Sequence, residues 1–209
     1  MTRTLQFATL IVILSRLYER KGIASLLSNE ERMKKTLIIL TGSQGTGKTT
    51  LAKKLLPHMS NSASFDAENI LQVNPFVFNQ KFRNLAIKNS VSLISNFFNA
   101  GYSTVLAGSF LNGVKEYDAF RKRFRYRATI YIIMLTARRS VRDKRCIERD
   151  KPSTKRDRDW LEKKYPLDTS LKNAERDYIY IEIDNSRHSI KKTVEEIKKA
   201  IPEVFGSVT

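Results

Sequence analysis

The stretch Gly42-Ser43-Gln44-Gly45-Thr46-Gly47-Lys48-Thr49 decides the fold of this 209-residue chain. Four free positions separate two glycines, and Lys and Thr follow, which is the pattern of a phosphate-binding loop. An apolar run of strand length, residues 36–41, precedes the loop, and residues 50–56 follow it with helical spacing. Because strand, loop and helix come in this order, the sequence predicts a site for a nucleoside triphosphate, either ATP or GTP.

Each residue type in the loop suits the binding of a polyphosphate. Glycines allow backbone angles and close approaches that a Cβ would block, so backbone N–H groups can surround the phosphates. Lys48 is expected to reach the β- and γ-phosphates, and the Thr49 hydroxyl to hold Mg²⁺. The predicted nucleotide-binding residues are Gly42, Ser43, Gln44, Gly45, Thr46, Gly47, Lys48, Thr49 and Thr50.

The composition is that of a globular domain in a reducing compartment. Hydrophobic residues make up 41% and charged residues 28% of the chain, ordinary values for a soluble domain of this length. The single cysteine, Cys146, excludes an internal disulfide framework and favours a cytoplasmic location. With one cysteine and two histidines, a zinc site is not expected.

The net charge of +17 is unusual and favours a polyanionic partner, such as nucleic acid, nucleotides or an acidic membrane surface. A solvated basic surface is the alternative. Within the most basic region, residues 115–164, the segment Arg121–Arg127 alternates cations with aromatic rings, which is typical of a groove for nucleic acid. For the aromatic residues we favour the alternative in which Phe120 and Phe124 pack inward, and the role of the cations, solvated or bound to nucleic acid, stays open. The sequence does not indicate an oligomeric state.

Residues 1–32 differ from the rest of the chain. Their apolar run, Leu5–Leu14, is shorter than the roughly 20 residues that span a bilayer, and no small-residue cleavage site follows it. We therefore expect no transmembrane segment and place the functional domain at residues 33–209. The extension is then either a mis-assigned start or an accessory amphipathic helix.

Apolar strands alternate with helical segments along the domain, which predicts a three-layer α/β/α fold with a five-stranded, mainly parallel sheet. The run 128–135 is continuously apolar, as in a strand buried on both faces. Residues 150–159 are expected to form a polar connection, and residues 160–165 and 170–176 short helices. Ligands of such sheets bind at the carboxyl ends of the strands, so the points of interest are Asp66/Glu68, Gly108–Asn112, Leu135–Arg139 and Asp184.

Two acids just after the second strand are candidates for acceptor-side chemistry. Phosphoryl transfer needs an oriented nucleophile, a group that takes its proton, and Mg²⁺ bound by oxygen ligands. We assign Glu68 as the general base and Asp66 as a metal or water ligand, which gives a predicted metal site of Thr49 and Asp66. The alternative is that the two acids cap a helix, since Asp is a favoured N-cap residue.

A basic helix is predicted after the fourth strand. Arg142, Arg145 and Arg149 share one of its faces and could clamp the transferring phosphate, with Arg142 and Arg145 as predicted catalytic residues alongside Lys48. Residues 138–160 would then form a lid that excludes water. The alternative is a solvated basic face.

Together these motifs resemble those of the small P-loop kinases, and most closely the polynucleotide 5′-hydroxyl kinases and the zeta-toxin kinases. Phe65–Ile70 with Pro75 is similar to the zeta-type acceptor segment, and Val105–Asn112 to the segment after strand three of the polynucleotide kinases. The resemblance covers residues 34–200. It implies transfer of the γ-phosphate of ATP or GTP to a hydroxyl, with the base on Glu68 and lid arginines among Arg142, Arg145 and Arg149.

The chain departs from that family pattern in two places. The family usually carries Asp as its base, where this chain has Glu68, and the family's acid after strand three is replaced by Gly108. The favoured acceptor is a polynucleotide 5′-hydroxyl end, because of the basic charge, with nucleic acid as a candidate partner. A small acceptor, such as a nucleotide or nucleotide sugar, is the first alternative, and a nucleotide-dependent switch or nucleic-acid-binding module without kinase activity is the second.

Overall fold

A five-stranded sheet is the centre of the computed structural model, which describes residues 34–149 and 153–205. All strands run parallel in the order β2-β3-β1-β4-β5, which confirms the predicted sheet. The predictions for residues 1–32 lie outside the described residues. The strands are β1 Lys35–Thr41, β2 Ser62–Asp66, β3 Thr104–Gly108, β4 Ala128–Thr136 and β5 Ile179–Asp184.

Helices cover both faces of the sheet and complete the three layers. They are α1 Lys48–Leu55, α2 Ala67–Ile70, α3 Gln80–Asn99, α4 Val114–Arg121, α5 Arg139–Ile147, α6 Lys155–Lys164 and α7 Ile190–Ala200, with 3₁₀ turns at Leu56–His58 and Pro202–Val204. Alternate residues of β1 point to opposite faces. Leu37 and Ile39 pack in the core under α3 and α4, whereas Ile38 and Leu40 pack in the core under α1 and α7.

Strand β4, which lies between β1 and β5, is buried on both faces, as its continuous apolar pattern predicted. Ile130 and Ile132 belong to one core and Ile133 and Leu135 to the other, each with at most 1% of its surface exposed. The carboxyl ends of these buried strands carry the loops that follow β1, β2, β3 and β4.

Two local predictions are wrong. Residues 155–159 are helical, because the Thr154 hydroxyl accepts a hydrogen bond from the N–H of Asp157, and the Asp157 carboxylate accepts one from the N–H of Thr154. Residues 170–176 form turns, since the side chain of Ser170 accepts from the N–H of Val114 instead of supporting a local helix.

The basic segment Arg121–Arg127 lies at the amino ends of the strands, because it directly precedes β4, whereas the phosphate-binding loop lies at their carboxyl ends. The two are therefore separated by roughly the length of a strand, which is about 23 Å for the seven residues of β1. Phe120 and Phe124 are at most 1% exposed, and Tyr126 packs against Phe98, which confirms the alternative in which the aromatic rings pack inward. None of the helices within the described residues is long and apolar enough to cross a membrane.

Candidate active site

The phosphate-binding loop connects β1 to α1, and its glycines are required by the protein's own backbone. Gly42 has a φ of +130°, and a Cβ there would lie 2.2 Å from the carbonyl oxygen of Leu135 at the end of β4. Gly45 has a φ of +81°, and a Cβ would lie 2.6 Å from the carbonyl oxygen of Arg142. The loop is thus packed directly onto β4 and α5, where side chains larger than hydrogen do not fit.

Lys48 begins α1 and closes the loop from inside. Its ammonium donates to the carbonyl oxygens of Gly42, at 2.8 Å, and Ser43, at 3.2 Å. Burial lowers the pKa of the Lys48 ammonium below its ordinary value, and the negative charges of Glu68 and Asp66 act in the opposite direction. A phosphate is a stronger partner for this cation than two carbonyl groups, because both partners are then charged.

Asn185, directly after β5, holds the loop from outside and was not anticipated from the sequence. Its side chain, in a residue only 3% exposed, donates to the carbonyl oxygen of Thr46 at 2.8 Å. Thr193 and Arg145 fix Asn185 in turn, through its side-chain oxygen and its carbonyl oxygen respectively. The sequence analysis singled out the neighbouring Asp184 instead, whose carboxylate bonds to Ser186.

Asp66, at the end of β2, caps α2 and also contacts Thr49 of the phosphate-binding loop. Its Oδ2 accepts a hydrogen bond from the Thr49 hydroxyl at 2.8 Å, while its Oδ1 caps α2 by accepting from the N–H of Glu68 at 3.1 Å. Gly108 lies in register beside Asp66 on β3, and a Cβ there would be 3.6 Å from the carboxylate. The missing side chain at Gly108 therefore leaves the space next to Asp66 open.

Thr49 and Asp66 present the hydroxyl and carboxylate oxygens that Mg²⁺ prefers, so this pair fits the predicted metal site. Magnesium is commonly held by one or two such groups together with phosphate oxygens and water. In residues 34–149 and 153–205, no group of three or more His, Cys, Asp or Glu side chains could hold a metal ion. Thr50, the last predicted nucleotide-binding residue, is exposed on α1.

Glu68 and Lys48 line the same cavity, which has a volume of about 430 Å³. Glu68 is exposed at the rim of the cavity, and its carboxylate makes no hydrogen bond or ion pair with the other described residues. The segment after β3, expected to be near the ligand, forms another wall through Ser109, Phe110, Leu111 and Asn112. Part of the cavity lining is aromatic and consists of Phe76, Phe78, Phe82, Phe110 and Tyr165.

The sequence analysis did not identify four of these aromatic residues, Phe76, Phe78, Phe82 and Tyr165, as part of the site. They come from the segment between α2 and α3, from α3 and from the end of α6, so no spacing rule connects them. The only signal in the sequence is the number of phenylalanines around the Asn74-Pro75 break.

The three predicted phosphate-clamping arginines each have a partner in the protein, which for Arg149 is the neighbouring Cys146. Arg142 is 8% exposed and forms a bidentate ion pair with Glu162 of α6, at 2.6 and 3.0 Å. Arg145 donates to the carbonyl oxygen of Asn185 at 2.8 Å. Arg149 lies close enough to Lys48 to disfavour its charged form. A direct contact of Arg142 or Arg145 with phosphate stays a prediction.

Helix α6 is held to α5 by further ion pairs and closes one side of the cavity. Asp143 pairs with Arg139 at 3.1 Å and with Arg158 at 3.2 Å, and Arg139 also reaches Asp159 at 2.6 Å. Leu161, Glu162 and Tyr165 of α6 line the cavity. Within the region predicted as a lid, residues 138–160, the cavity is lined by Arg142, Asp143, Cys146 and Arg158.

Comparison with known proteins assigns the family. Residues 38–167 match the family model described as an AAA domain. The chain belongs to the AAA domain family. No curated protein matches this AAA domain.

Solved structures share the fold of this AAA domain at low sequence identity. A sugar kinase from Janibacter sp. HTCC2649 is 15% identical, with a TM-score of 0.61, over 80% of this chain and 95% of that one. A gluconokinase from Sinorhizobium meliloti 1021 is 10% identical, with a TM-score of 0.59, over 83% and 95%. The APS kinase of Mycobacterium tuberculosis, in complex with AMPPNP and APS, is 12% identical, with a TM-score of 0.54, over 81% and 98%. At these identities the likeness establishes the α/β/α P-loop NTPase fold.

Proposed function

We propose that this AAA domain is a phosphotransferase that moves the γ-phosphate of ATP or GTP to a hydroxyl group of a small molecule. The observation that carries the proposal is that Lys48 of the phosphate-binding loop and the unpaired Glu68 line one cavity. A donor site and a candidate base thus share a space large enough for a second substrate.

The chemistry follows from these positions. The acceptor oxygen attacks the γ-phosphorus, the bond from the γ-phosphorus to the β–γ bridging oxygen breaks, and the acceptor's proton passes to Glu68. Lys48 neutralises charge on the phosphates, and the backbone N–H groups of the loop hold them in place. When bound at Thr49 and Asp66, Mg²⁺ would supply further charge neutralisation on the phosphate oxygens.

A small acceptor fits better than the polynucleotide end that the net charge suggested. The site is a cavity closed on one side by α6, and the basic segment Arg121–Arg127 is at the amino ends of the strands. The similar structures are of enzymes named as a sugar kinase, a gluconokinase and an APS kinase. We therefore favour the small-molecule alternative.

The absent acid at Gly108 is the feature that would favour a slow nucleotide switch. Asp66 is placed to replace the missing acid, because its carboxylate lies beside Gly108 and accepts a hydrogen bond from Thr49. The small P-loop kinases that the sequence resembles carry an acid after strand three. We propose that Asp66, after strand two, supplies this negative charge instead.

The test is the fate of the γ-phosphate. The full chain is incubated with γ-labelled ATP and Mg²⁺ in three separate reactions, which contain a mixture of small alcohols, a 5′-hydroxyl oligonucleotide, or no acceptor. We expect label on a small molecule at a rate at least tenfold above label on the oligonucleotide. Release of orthophosphate at the same rate in all three reactions, with no labelled acceptor, would reject the proposal in favour of an NTPase.

A further inference from the structure

We propose that the acceptor is an uncharged nucleoside. Its heteroaromatic base binds against the aromatic part of the cavity lining, and a sugar hydroxyl faces Glu68. This inference rests on the proposed function and deepens it by naming the substrate class. Four features of the cavity support it: the aromatic rings, a polar pair in the wall, a buried hydroxyl group without a partner, and the charge balance.

The aromatic rings are arranged as a binding surface. Phe78 contacts Phe82 and Tyr165, with ring centroids 5.5 and 4.3 Å apart, and Phe76 contacts Phe82 at 5.2 Å. Although these rings form one cluster, Phe76 keeps 61% of its surface exposed, and Trp160, beside Tyr165, keeps 51%. A cluster that served packing alone would gain more by burying these rings. An exposed ring such as Phe76, joined to other rings that line the cavity, suits the stacking of a planar base.

A polar pair on the cavity wall could recognise the edge of such a base. Glu116 is 8% exposed and accepts hydrogen bonds from the backbone N–H of Asn112 and from Arg83, the latter at 3.2 Å. A carboxylate has about four lone-pair sites, so it can accept further bonds. The Nε of Arg83 is buried without a hydrogen-bond partner among the described residues. Donor and acceptor sites side by side match the edge of a heteroaromatic base.

The Ser109 hydroxyl is a further unused polar group in the cavity wall. It is buried and has no hydrogen-bond partner within the described part of the chain. An acceptor with sugar hydroxyls could satisfy it, which a hydrocarbon ring could not.

The charges in the cavity argue against an acceptor that carries phosphate. On the acceptor side, each arginine that lines the cavity is already paired: Arg83 with Glu116, Arg142 with Glu162, and Arg158 with Asp143. Lys48 belongs to the phosphate-binding loop and is assigned to the donor, and Glu68 is an unpaired negative charge. A nucleoside monophosphate would meet this carboxylate without a free cation in exchange, whereas a neutral nucleoside would not be repelled.

Binding can be measured without turnover, because Trp160 is the only tryptophan of the chain and lies 5.8 Å from Tyr165. The full chain, with saturating MgADP to fill the donor site, is titrated separately with adenosine, guanosine, cytidine, uridine, their 5′-monophosphates, ribose and gluconate. We expect a saturable change in fluorescence with at least one nucleoside. Its monophosphate, ribose and gluconate should each bind at least tenfold more weakly.

Two matched variants test where the nucleobase binds. Phe76→Leu removes an exposed ring but keeps an apolar side chain, and it should raise the nucleoside Kd about tenfold, which is the loss expected for one stacked ring. Phe97→Leu is the control, because Phe97 packs against Tyr102 near the other end of α3 and does not line the cavity. It should leave the Kd unchanged. Equal effects of the two variants would overturn the stacking assignment.

The two proposals fail in different ways. If label from ATP reaches gluconate or a monophosphate in preference to every nucleoside, the kinase proposal stands and the nucleoside inference is wrong. If a nucleoside binds as expected but only orthophosphate is released, the proposed function is wrong and the cavity is a binding site for nucleosides without transfer. Tighter binding of ribose than of any nucleoside would overturn the inference directly.

Discussion

The donor and acceptor halves of the site are built in different ways. The donor half, the loop of residues 42–49 with Asp66 and Asn185, is determined by backbone geometry, because Gly42 and Gly45 pack against carbonyl groups. The acceptor half, the cavity beyond Glu68, is built from side chains of at least four separate segments. Adding one methyl group to the donor half should therefore abolish triphosphate binding, whereas a single substitution in the acceptor half should only weaken acceptor binding.

The largest effect is expected from Gly42→Ala. The added Cβ would meet the Leu135 carbonyl oxygen at 2.2 Å, so the loop must move and triphosphate binding should be lost. Gly101→Ala is the matched control, because Gly101 also has a positive φ, +92°, but no heavy atom within 4 Å of the added Cβ. We expect Gly42→Ala to lower the free energy of unfolding by about 1–3 kcal/mol more than Gly101→Ala.

Calorimetric titration with ATP and thermal unfolding would check this pair. Retention of wild-type ATP affinity in Gly42→Ala would show that the loop tolerates a side chain and would remove the contrast between the two halves.

Asp66 belongs to the donor half but also contacts the backbone of Glu68, and two substitutions separate these contacts. Asn is as good an N-cap as Asp, so Asp66→Asn should keep the start of α2 while it removes the charge beside Thr49. We expect the Mg²⁺ concentration for half-maximal turnover to rise about 10- to 100-fold, with little change in thermal stability. Asp66→Ala should add a loss of stability of about 1 kcal/mol. An unchanged Mg²⁺ dependence in both variants would leave Asp66 as a cap only.

The same contrast explains what the sequence could predict. The loop pattern, the parallel sheet and the pair Asp66/Glu68 were readable, since each depends on residues that are close in sequence and on strand order. The cavity depends on where Tyr165 of α6 and Phe78 meet, and the pair Arg83–Glu116 joins two helices. Such contacts follow from the tertiary packing of α3, α4 and α6, which local patterns do not encode. Likewise, cations and aromatic rings alternate in Arg121–Arg127 because the rings pack into the core near the amino ends of the strands.

The pair Arg142–Glu162 predicts a small dependence of stability on pH. The hydrogen bonds from Arg142 lower the pKa of Glu162 below its ordinary value. The stabilisation is therefore present above the unfolded-state pKa, about 4.3, and is lost as the pH falls through the lower folded-state value. Because the Glu162 side chain is 36% exposed, solvent screening should limit the effect to about 1 kcal/mol or less.

Unfolding of the wild type and of Glu162→Gln across the acid range would measure it. The two free energies should differ most near neutral pH and converge as Glu162 is protonated. A difference that grows on acidification would contradict this assignment of the ion pair.

The smallest effect is expected for the basic segment Arg121–Arg127. Arg125 and Arg127 are exposed and lie before β4, away from both halves of the site. Replacing both with Gln should change the rate of transfer to a small acceptor less than about twofold, as for a surface substitution. Any binding of a 5′-hydroxyl oligonucleotide that uses this segment should become less salt-dependent. A large loss of transfer to the small acceptor would connect this segment to catalysis.

The most direct test of the two-sided site is Glu68→Gln, with Glu195→Gln on the exposed face of α7 as the matched control. For each variant, the rate of γ-phosphate transfer and the Kd for the triphosphate are measured on the same preparation. We expect Glu68→Gln to reduce transfer at least about a hundredfold, because it removes a general base, and to leave triphosphate binding unchanged. Near-normal transfer by Glu68→Gln would contradict the account, because the acceptor half would then lack the group assigned to take the proton.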